Sequence, residues 1–257
     1  MNDELRQRCD LLRSLHVPGS PLILPNAWDA ASARAVVAAG FPVVGTTSGG
    51  VAAALGYDDH QGAPAAEMLA AAARIARAVD VPVTVDAEAG YGMSPRELAD
   101  ALLDAGAAGC NLEDTDHATG RIAGADTHSE WLRAVRGEAA ERGHGLVINA
   151  RIDVFLLDRA RTQRELLDDA VARARTYLAA GADCVFPIFL ADADTIAAFV
   201  EAVQGPVNIL AMPDAPPIHD LARLGVARIS YGSAIHRRAM QEATAFLSDL
   251  ANAANRS

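Results

Sequence analysis

Residues 83–92 read V-T-V-D-A-E-A-G-Y-G, a β-branched apolar run that ends in two acids and a glycine-rich turn. Two further segments repeat this plan, C-N-L-E-D at 110–114 and V-I-N-A-R-I-D at 147–153. Each reads as a buried strand with charge at its carboxyl end. An unpaired buried charge is costly, so such strand ends need partners. Asp86, Glu88 and Glu113 would converge from neighbouring strands, and a set of oxygen donors of this kind suits a hard divalent cation. In a continuing strand Asp86 and Glu88, two residues apart, would share one face. Arg151 suits an anionic substrate beside the cation. Asn149 and Asp153 flank it as structural supports.

Outward from these segments, strand and helix signals alternate with a period of roughly 25–35 residues, as repeated βα units require. Strands are expected at 22–24, 43–45, 83–85, 109–112, 146–149, 184–187, 207–210 and 228–230. Helices are expected at 30–39, 65–79, 95–105, 129–142, 164–180, 193–203, 218–224 and 234–253. Ser94-Pro95-Arg96-Glu97 and Thr127-His128-Ser129-Glu130 read as capping boxes. Glycines at 40, 106, 181 and 225 punctuate helix ends. Eight βα units without a linker or a composition break predict a single (β/α)8 (TIM) barrel domain over 1–257. A doubly wound open sheet is the alternative. In a barrel the catalytic face is the carboxyl end of the strands, where every charged residue named above falls.

Composition narrows the chemistry. The 257 residues carry a net charge of −11 and no basic run, so nucleic acid and anionic membranes are not expected partners. No apolar stretch reaches the length of a membrane span, and the polar M-N-D-E-L-R-Q-R start does not resemble a signal peptide. The expectation is a cytoplasmic protein. Cys9, Cys110 and Cys184 lack paired or metal-type spacing, and the latter two lie in apolar strand contexts. All 22 basic residues are Arg. Schiff-base lysine chemistry, pyridoxal phosphate attachment and a P-loop lysine are therefore excluded.

Three more segments matter. Gly45-Thr46-Thr47-Ser48-Gly49-Gly50 reads as a loop of hydroxyls and glycines whose backbone could cradle a carboxylate or phosphate. Leu55-Gly56-Tyr57-Asp58-Asp59 closes it, with Asp59 able to face the cation side. Residues 114–126 are polar, with hinges at Gly120 and Gly124, and read as a mobile lid. His117, Asp116 and Arg121 are its acid–base or anion-binding candidates, with His117 and Arg121 expected to reach inward. Trp28 could floor the pocket or pack in the core. The other histidines singled out (16, 60, 144, 219 and 236) show no ligand spacing and receive no role.

With T-T-S-G-G (46–50), L-G-Y-D-D (55–59), V-D-A-E-A-G-Y-G (85–92), N-L-E-D (111–114) and I-N-A-R-I-D (148–153) in place, the chain resembles the isocitrate lyase/phosphoenolpyruvate mutase superfamily over nearly its whole length. The resemblance implies a (β/α)8 barrel whose C-terminal helix, here 234–253, is swapped between subunits of a homo-oligomer, a dimer or a dimer of dimers (homotetramer). It implies Mg²⁺ (or Mn²⁺), held largely through waters by Asp86, Glu88 and Glu113 with Asp59 nearby. It implies that Ser48, Gly49 and Arg151, with Thr47 beside them, bind the carboxylate of a 2-oxo acid or enolate. The implied activity is a lyase or hydrolase that makes or breaks a C–C bond next to the carbonyl of a small 2-oxo acid or dicarboxylate. A P–C bond enzyme of the mutase or phosphonopyruvate hydrolase type is the alternative. A catalytically inactive 2-oxo-acid-binding protein is a third reading. The lid departs from the family patterns: it has neither the Lys-(Lys/Arg)-Cys-Gly-His motif of the isocitrate and methylisocitrate lyases nor the Lys and Asn of the mutases. His117 and Arg121 are what it offers instead.

Overall fold

The computed structural model describes residues 2–255. Eight short parallel strands supply the frame: β1 (Leu22–Leu24), β2 (Val44–Thr46), β3 (Val83–Asp86), β4 (Gly109–Glu113), β5 (Val147–Ile152), β6 (Cys184–Pro187), β7 (Asn208–Leu210) and β8 (Arg228–Ser230). Neighbours pair in sequence order from β2 to β6, β7 pairs with β8, and β8 pairs with β1. A parallel bridge between Val185 and Val207 joins β6 to β7. The circle closes at Pro25, where β1 ends and Asn26–Ala27 turns to pair with β2. Proline has no N–H to give a ladder, so it suits the point where a strand changes neighbours. The barrel expectation holds.

Period-two alternation sorts the strand residues. On β4 and β5, Cys110, Leu112, Ile148 and Ala150 belong to the apolar core, together with Leu98, Leu102, Leu132 and Leu166 of the outer helices. Between them Asn111 and Asn149 point to each other, Asn149 Nδ2 donating to Asn111 Oδ1 at 2.9 Å. The outer helices are α2 (Ala30–Ala38), α3 (Ser48–Leu55), α4 (Ala65–Arg77), α5 (Pro95–Asp104), α6 (Ala125–Glu141), α7 (Val154–Leu157), α8 (Gln163–Ala179), α9 (Ala193–Val203), α10 (Ile218–Arg223) and α11 (Ala234–Ala254). The Ser94 capping box of α5 is present, with both reciprocal bonds.

Four differences from the sequence expectations have physical causes. A further helix, α1 (Asn2–Ser14), precedes the barrel. Its Cys9 and Leu12 pack with Leu22, Leu24, Val43, Ala108 and Val147, a separate small core next to the strand starts. The expected nest loop is instead the first turn of α3, despite two glycines, because Val51 and Ala52 bury against Met68 and Ala71. The short α7 also went unforeseen. Helix α6 starts four residues early, at Ala125 after Gly124, so the capping box at Thr127 does not form. No helix of the described residues is long and apolar enough to cross a membrane.

Candidate active site

The site is assembled at the carboxyl ends of β2 to β5. Asp86 ends β3 and is fixed from several sides: its Oδ2 accepts from the backbone N–H of Ser48 at 3.0 Å, and Asn111 Nδ2 lies 3.5 Å from its Oδ1. Its own N–H donates to Thr46 Oγ1 at 2.8 Å. The first amide of α3 is therefore aimed at a carboxylate, as the positive end of a helix favours. Thr47 Oγ1 meets Ser233 Oγ at 2.7 Å. A Cβ on Gly49 would come within 2.5 Å of Asp59 Oδ2. Only glycine at this position lets Asp59 approach so closely.

The strand does not continue to Glu88, as its pairing with Asp86 on one face would require. The chain turns there with φ at +50°, and Glu88 Oε2 accepts from the backbone N–H of Gln61 at 2.5 Å. Burial, and after it the charge of Asp86, pushes the Glu88 carboxyl up to about 7, with Glu113 and Asp59 adding to the effect. Four carboxylates thus crowd one end of the barrel.

Glu113 and Arg151 occupy paired positions on β4 and β5. The Arg151 guanidinium lies between two acids. Nε donates to Asp153 Oδ1 at 2.6 Å and Nη2 to Asp153 Oδ2 at 3.0 Å, while Nη1 forms an ion pair with Glu113 Oε2. Asp153 thus takes two of the five N–H donors of the arginine, and Nη1 faces Glu113 as an ion pair. Asp153 supports Arg151 as expected; Asn149 instead serves Asn111. The other Glu113 oxygen, Oε1, lies 2.5 Å from His117 Nε2. That bond raises the pKa of the imidazole and favours its protonated form. The ring of His117 lies 6.0 Å from that of His60.

The lid has a different footing from the one its sequence suggests. Asp114 is buried in the frame: its Oδ2 accepts from Tyr177 Oη at 2.7 Å and Arg173 Nη1 at 3.2 Å, and its Oδ1 accepts from Asp153 N at 2.9 Å. The projecting part is a two-stranded hairpin, Thr115–Asp116 against Arg121–Ile122. His117 is directed inward to Glu113. Arg121 is exposed on the far strand and is not brought to the acids.

A cavity of about 480 Å³ is lined on the β2–β5 side by Thr47, Ser48, Asp59, Asp86, Asn111 and Arg151, whereas Glu113 and His117 line a separate cavity of about 350 Å³ with Asp114 and Thr115. Trp28 stands outside both, edge-on to His236 at 5.0 Å. The three thiols are buried and unpaired. Two lining or supporting residues were passed over in the sequence. His60 faces the larger cavity from a loop in which both it and Gln61 have positive φ, +63° and +59°. Arg228, fully buried at the start of β8, donates from Nη2 to Asn111 Oδ1 at 3.0 Å. Its Nε and Nη1 find no protein acceptor among the described residues. A His without ligand spacing and an Arg inside an apolar strand carry no local signal of this placement.

A family model for phosphoenolpyruvate phosphomutase matches residues 12–251. This chain belongs to the phosphoenolpyruvate mutase/isocitrate lyase superfamily. A protein of Burkholderia cenocepacia J2315, provisionally named a phosphonomutase, has a crystal structure similar to this one with TM-score 0.89. The two are 42% identical, and the match covers 94% of this chain and 99% of that one. A probable 2-methylisocitrate lyase 2 of Corynebacterium glutamicum is 32% identical over 89% of this chain and 76% of its own length. An oxaloacetate decarboxylase of Rhodopseudomonas palustris (strain HaA2) is 33% identical over 82% of this chain and 72% of its own length. The chain is thus an enzyme of a superfamily whose members are lyases and mutases.

Proposed function

We propose that this enzyme is a Mg²⁺-dependent lyase or hydrolase that cleaves or forms a C–C bond next to the carbonyl of a small 2-oxo acid or dicarboxylate. The observation that carries the reading is Arg151 set between Glu113 and Asp153, beside the crowded acids Asp59, Asp86 and Glu88. Among the described residues no three His, Cys, Asp or Glu groups close on one point tightly enough to hold an ion directly. Both Glu113 oxygens already face Arg151 and His117. The donor set is nonetheless all oxygen, and the mutual repulsion raised at Glu88 is what a divalent cation relieves. These residues fit a hydrated ion, which Asp59, Asp86, Glu88 and Glu113 would hold. Mn²⁺ would suit the same donors. When bound, the ion supplies Lewis-acid stabilisation of the oxygen on which negative charge develops.

The chain's own groups do the rest. The N–H donors of Arg151 that Asp153 does not take bind the substrate carboxylate, and Thr47, Ser48 and the glycine-lined start of α3 shape its seat. The same seat serves a phosphonate. Kinship with a phosphonomutase-named structure favours a P–C bond enzyme as the second reading. His117, held by Glu113, is our candidate proton donor; Arg121 would join it only if the hairpin closed. Turnover of a panel of 2-oxo acids, malate-type acids and phosphonates with Mg²⁺, followed by ¹H and ³¹P NMR, tests the proposal. Mg²⁺-dependent cleavage of a carbon acid supports it, and product from a phosphonate alone supports the second reading. Oxalate binding with no product from any compound would instead mark a binding protein.

A further inference from the structure

The larger cavity has two unlike halves. From β2 to β5 its wall is polar and charged. From β5 round to β7 it is apolar: Leu156, Phe186, Ile188, Phe189, Leu210 and Met212 line it. Among its lining residues the basic side chains besides Arg151 are His60, on the side of the acids, and Arg237 and Arg238, both exposed at the rim, and Arg238 is paired with Glu242 at 2.6 Å. No cationic side chain lines the apolar half of the cavity itself. A second substrate carboxylate placed there would lose its hydration without gaining a partner.

This wall is also built with effort. Phe189 holds φ at +65°, a region that bulky residues avoid. Its carbonyl accepts from Gln163 Nε2 at 2.9 Å, and the Gln163 Oε1 accepts from the N–H groups of Ala191 and Asp192. The Arg159 guanidinium covers the Phe189 ring at 4.6 Å. Strained backbone persists where surrounding contacts over-determine it, and such sites concentrate at ligand clamps. Here the start of α8 and the loop after α7 fix an aromatic ring at the wall of the cavity.

We infer that the substrate carries an alkyl group next to its reacting carbons, seated on Phe186, Ile188, Phe189, Leu210 and Met212. This rests on the reading of Arg151 and the acids as a 2-oxo-acid site. The substrate class is then a 2-oxo acid, or the malate-type acid from which it is cleaved, with an alkyl substituent and no distal carboxylate in this half of the pocket.

Calorimetric titration of the whole protein with Mg²⁺ separates the two claims. Oxalate and pyruvate fill only the polar half. 2-Oxo-3-methylbutanoate adds two carbons for the apolar half, and 2-oxoglutarate adds a carboxylate. Each buried CH₂ contributes about 0.8 kcal/mol, so 2-oxo-3-methylbutanoate is expected to bind about tenfold tighter than pyruvate. 2-Oxoglutarate is expected to bind no tighter than pyruvate. Ile188→Ala and, separately, Met212→Ala should reduce the alkyl preference to about threefold or less while oxalate affinity stays within twofold. Both side chains are partly exposed, so neither change opens the core. Equal binding of pyruvate and 2-oxo-3-methylbutanoate overturns the inference and leaves the 2-oxo-acid site standing. Tightest binding of 2-oxoglutarate also overturns it, in favour of a distal carboxylate on Arg237. Failure of oxalate and pyruvate to bind overturns both.

Discussion

Gly49 shows how one missing side chain shapes the site. It lies in the first turn of α3, where alanine is the better helix former by roughly 0.5–1 kcal/mol. Yet an added Cβ would meet Asp59 Oδ2 at 2.5 Å and Ser233 Oγ at 3.0 Å. Both neighbours are ends of side chains that can rotate away, so the fold tolerates the change and the site does not. Gly49→Ala is expected to melt at or slightly above the wild-type temperature while Mg²⁺-supported oxalate binding falls at least tenfold. Parallel melting and calorimetry check this, and unchanged oxalate affinity would refute it. A second residue-scale prediction concerns acid. Burial, followed by the charge of Arg228, lowers His16 to about 4, and its Nδ1 lies 2.8 Å from the Leu12 carbonyl. A depressed pKa means the folded state refuses a proton that the unfolded chain takes. The related stability is complete above the unfolded value near 6.5 and is lost as pH falls through about 4. Glu88 and Asp114, raised to about 7 and about 6, act in the opposite sense, so only a comparison isolates His16. His16→Gln keeps a donor for Leu12 and cannot titrate. Relative to it, the wild type should lose on the order of 3 kcal/mol between about pH 7.5 and pH 4. Urea unfolding at the two pH values measures the difference, and parallel curves would remove the argument.

Elements differ in how far the sequence announces them. The eight barrel strands are legible because each is a short, mostly apolar run recurring at the spacing of βα units, and the charged strand ends of β3, β4 and β5 show which face is active. Helices with amphipathic faces and caps, such as α5 and α8, are equally plain. Helices α3 and α7 are hidden, one by glycines and the other by its four residues, and both are stabilised by tertiary contact rather than local propensity. At the site, Asp86, Glu113 and Arg151 could be read from their strand ends. The engagement of Glu113 by Arg151 and His117 could not, because it depends on a register between β4 and β5 that no local pattern states. Asp114 is the clearest case: adjacent to Glu113 in a polar run, it reads as lid, yet α8 holds it in the frame. Tyr177→Phe removes a 2.7 Å bond to its buried Oδ2, and is expected to cost about 1–3 kcal/mol in urea unfolding. A loss below a few tenths would mean that Arg173 and the Asp153 N–H suffice to support the acid. The hairpin beyond Asp114 has little apolar content and depends on Thr115–Asp153 and His117–Glu113 contacts at the site itself. Ligand binding should therefore slow amide exchange across 115–122. Exchange that does not change with saturating Mg²⁺ and oxalate would remove the gating role.

At the scale of the molecule, α11 has no place of its own. It runs 21 residues from Ala234 to Ala254, and none of its side chains is buried. Met240, Phe246, Leu247 and Leu250 are all more than half exposed. An amphipathic helix gains most of its stability by burying its apolar face, so a helix of this composition standing off the barrel needs a partner surface. The chain also carries an apolar groove of about 560 Å³ where α11 leaves the barrel, lined by Trp28, Ala31, Ala35, Val36, Phe41 and Ile235. In a symmetric pair the exposed helix of each copy would cover the open groove of the other. The family resemblance implies such a helix exchange. The protein is expected to be a homo-oligomer, a dimer or a dimer of dimers, at micromolar concentration. Phe246→Asp with Leu250→Asp should shift it to monomer in sedimentation velocity, since burying two carboxylates in an apolar interface is costly. The barrel should survive, because α11 contributes no residue to its core clusters. Circular dichroism should then differ only by the helicity of α11. A wild type that sediments as a monomer would overturn the assembly. A double variant that stays oligomeric would place the interface elsewhere on the barrel.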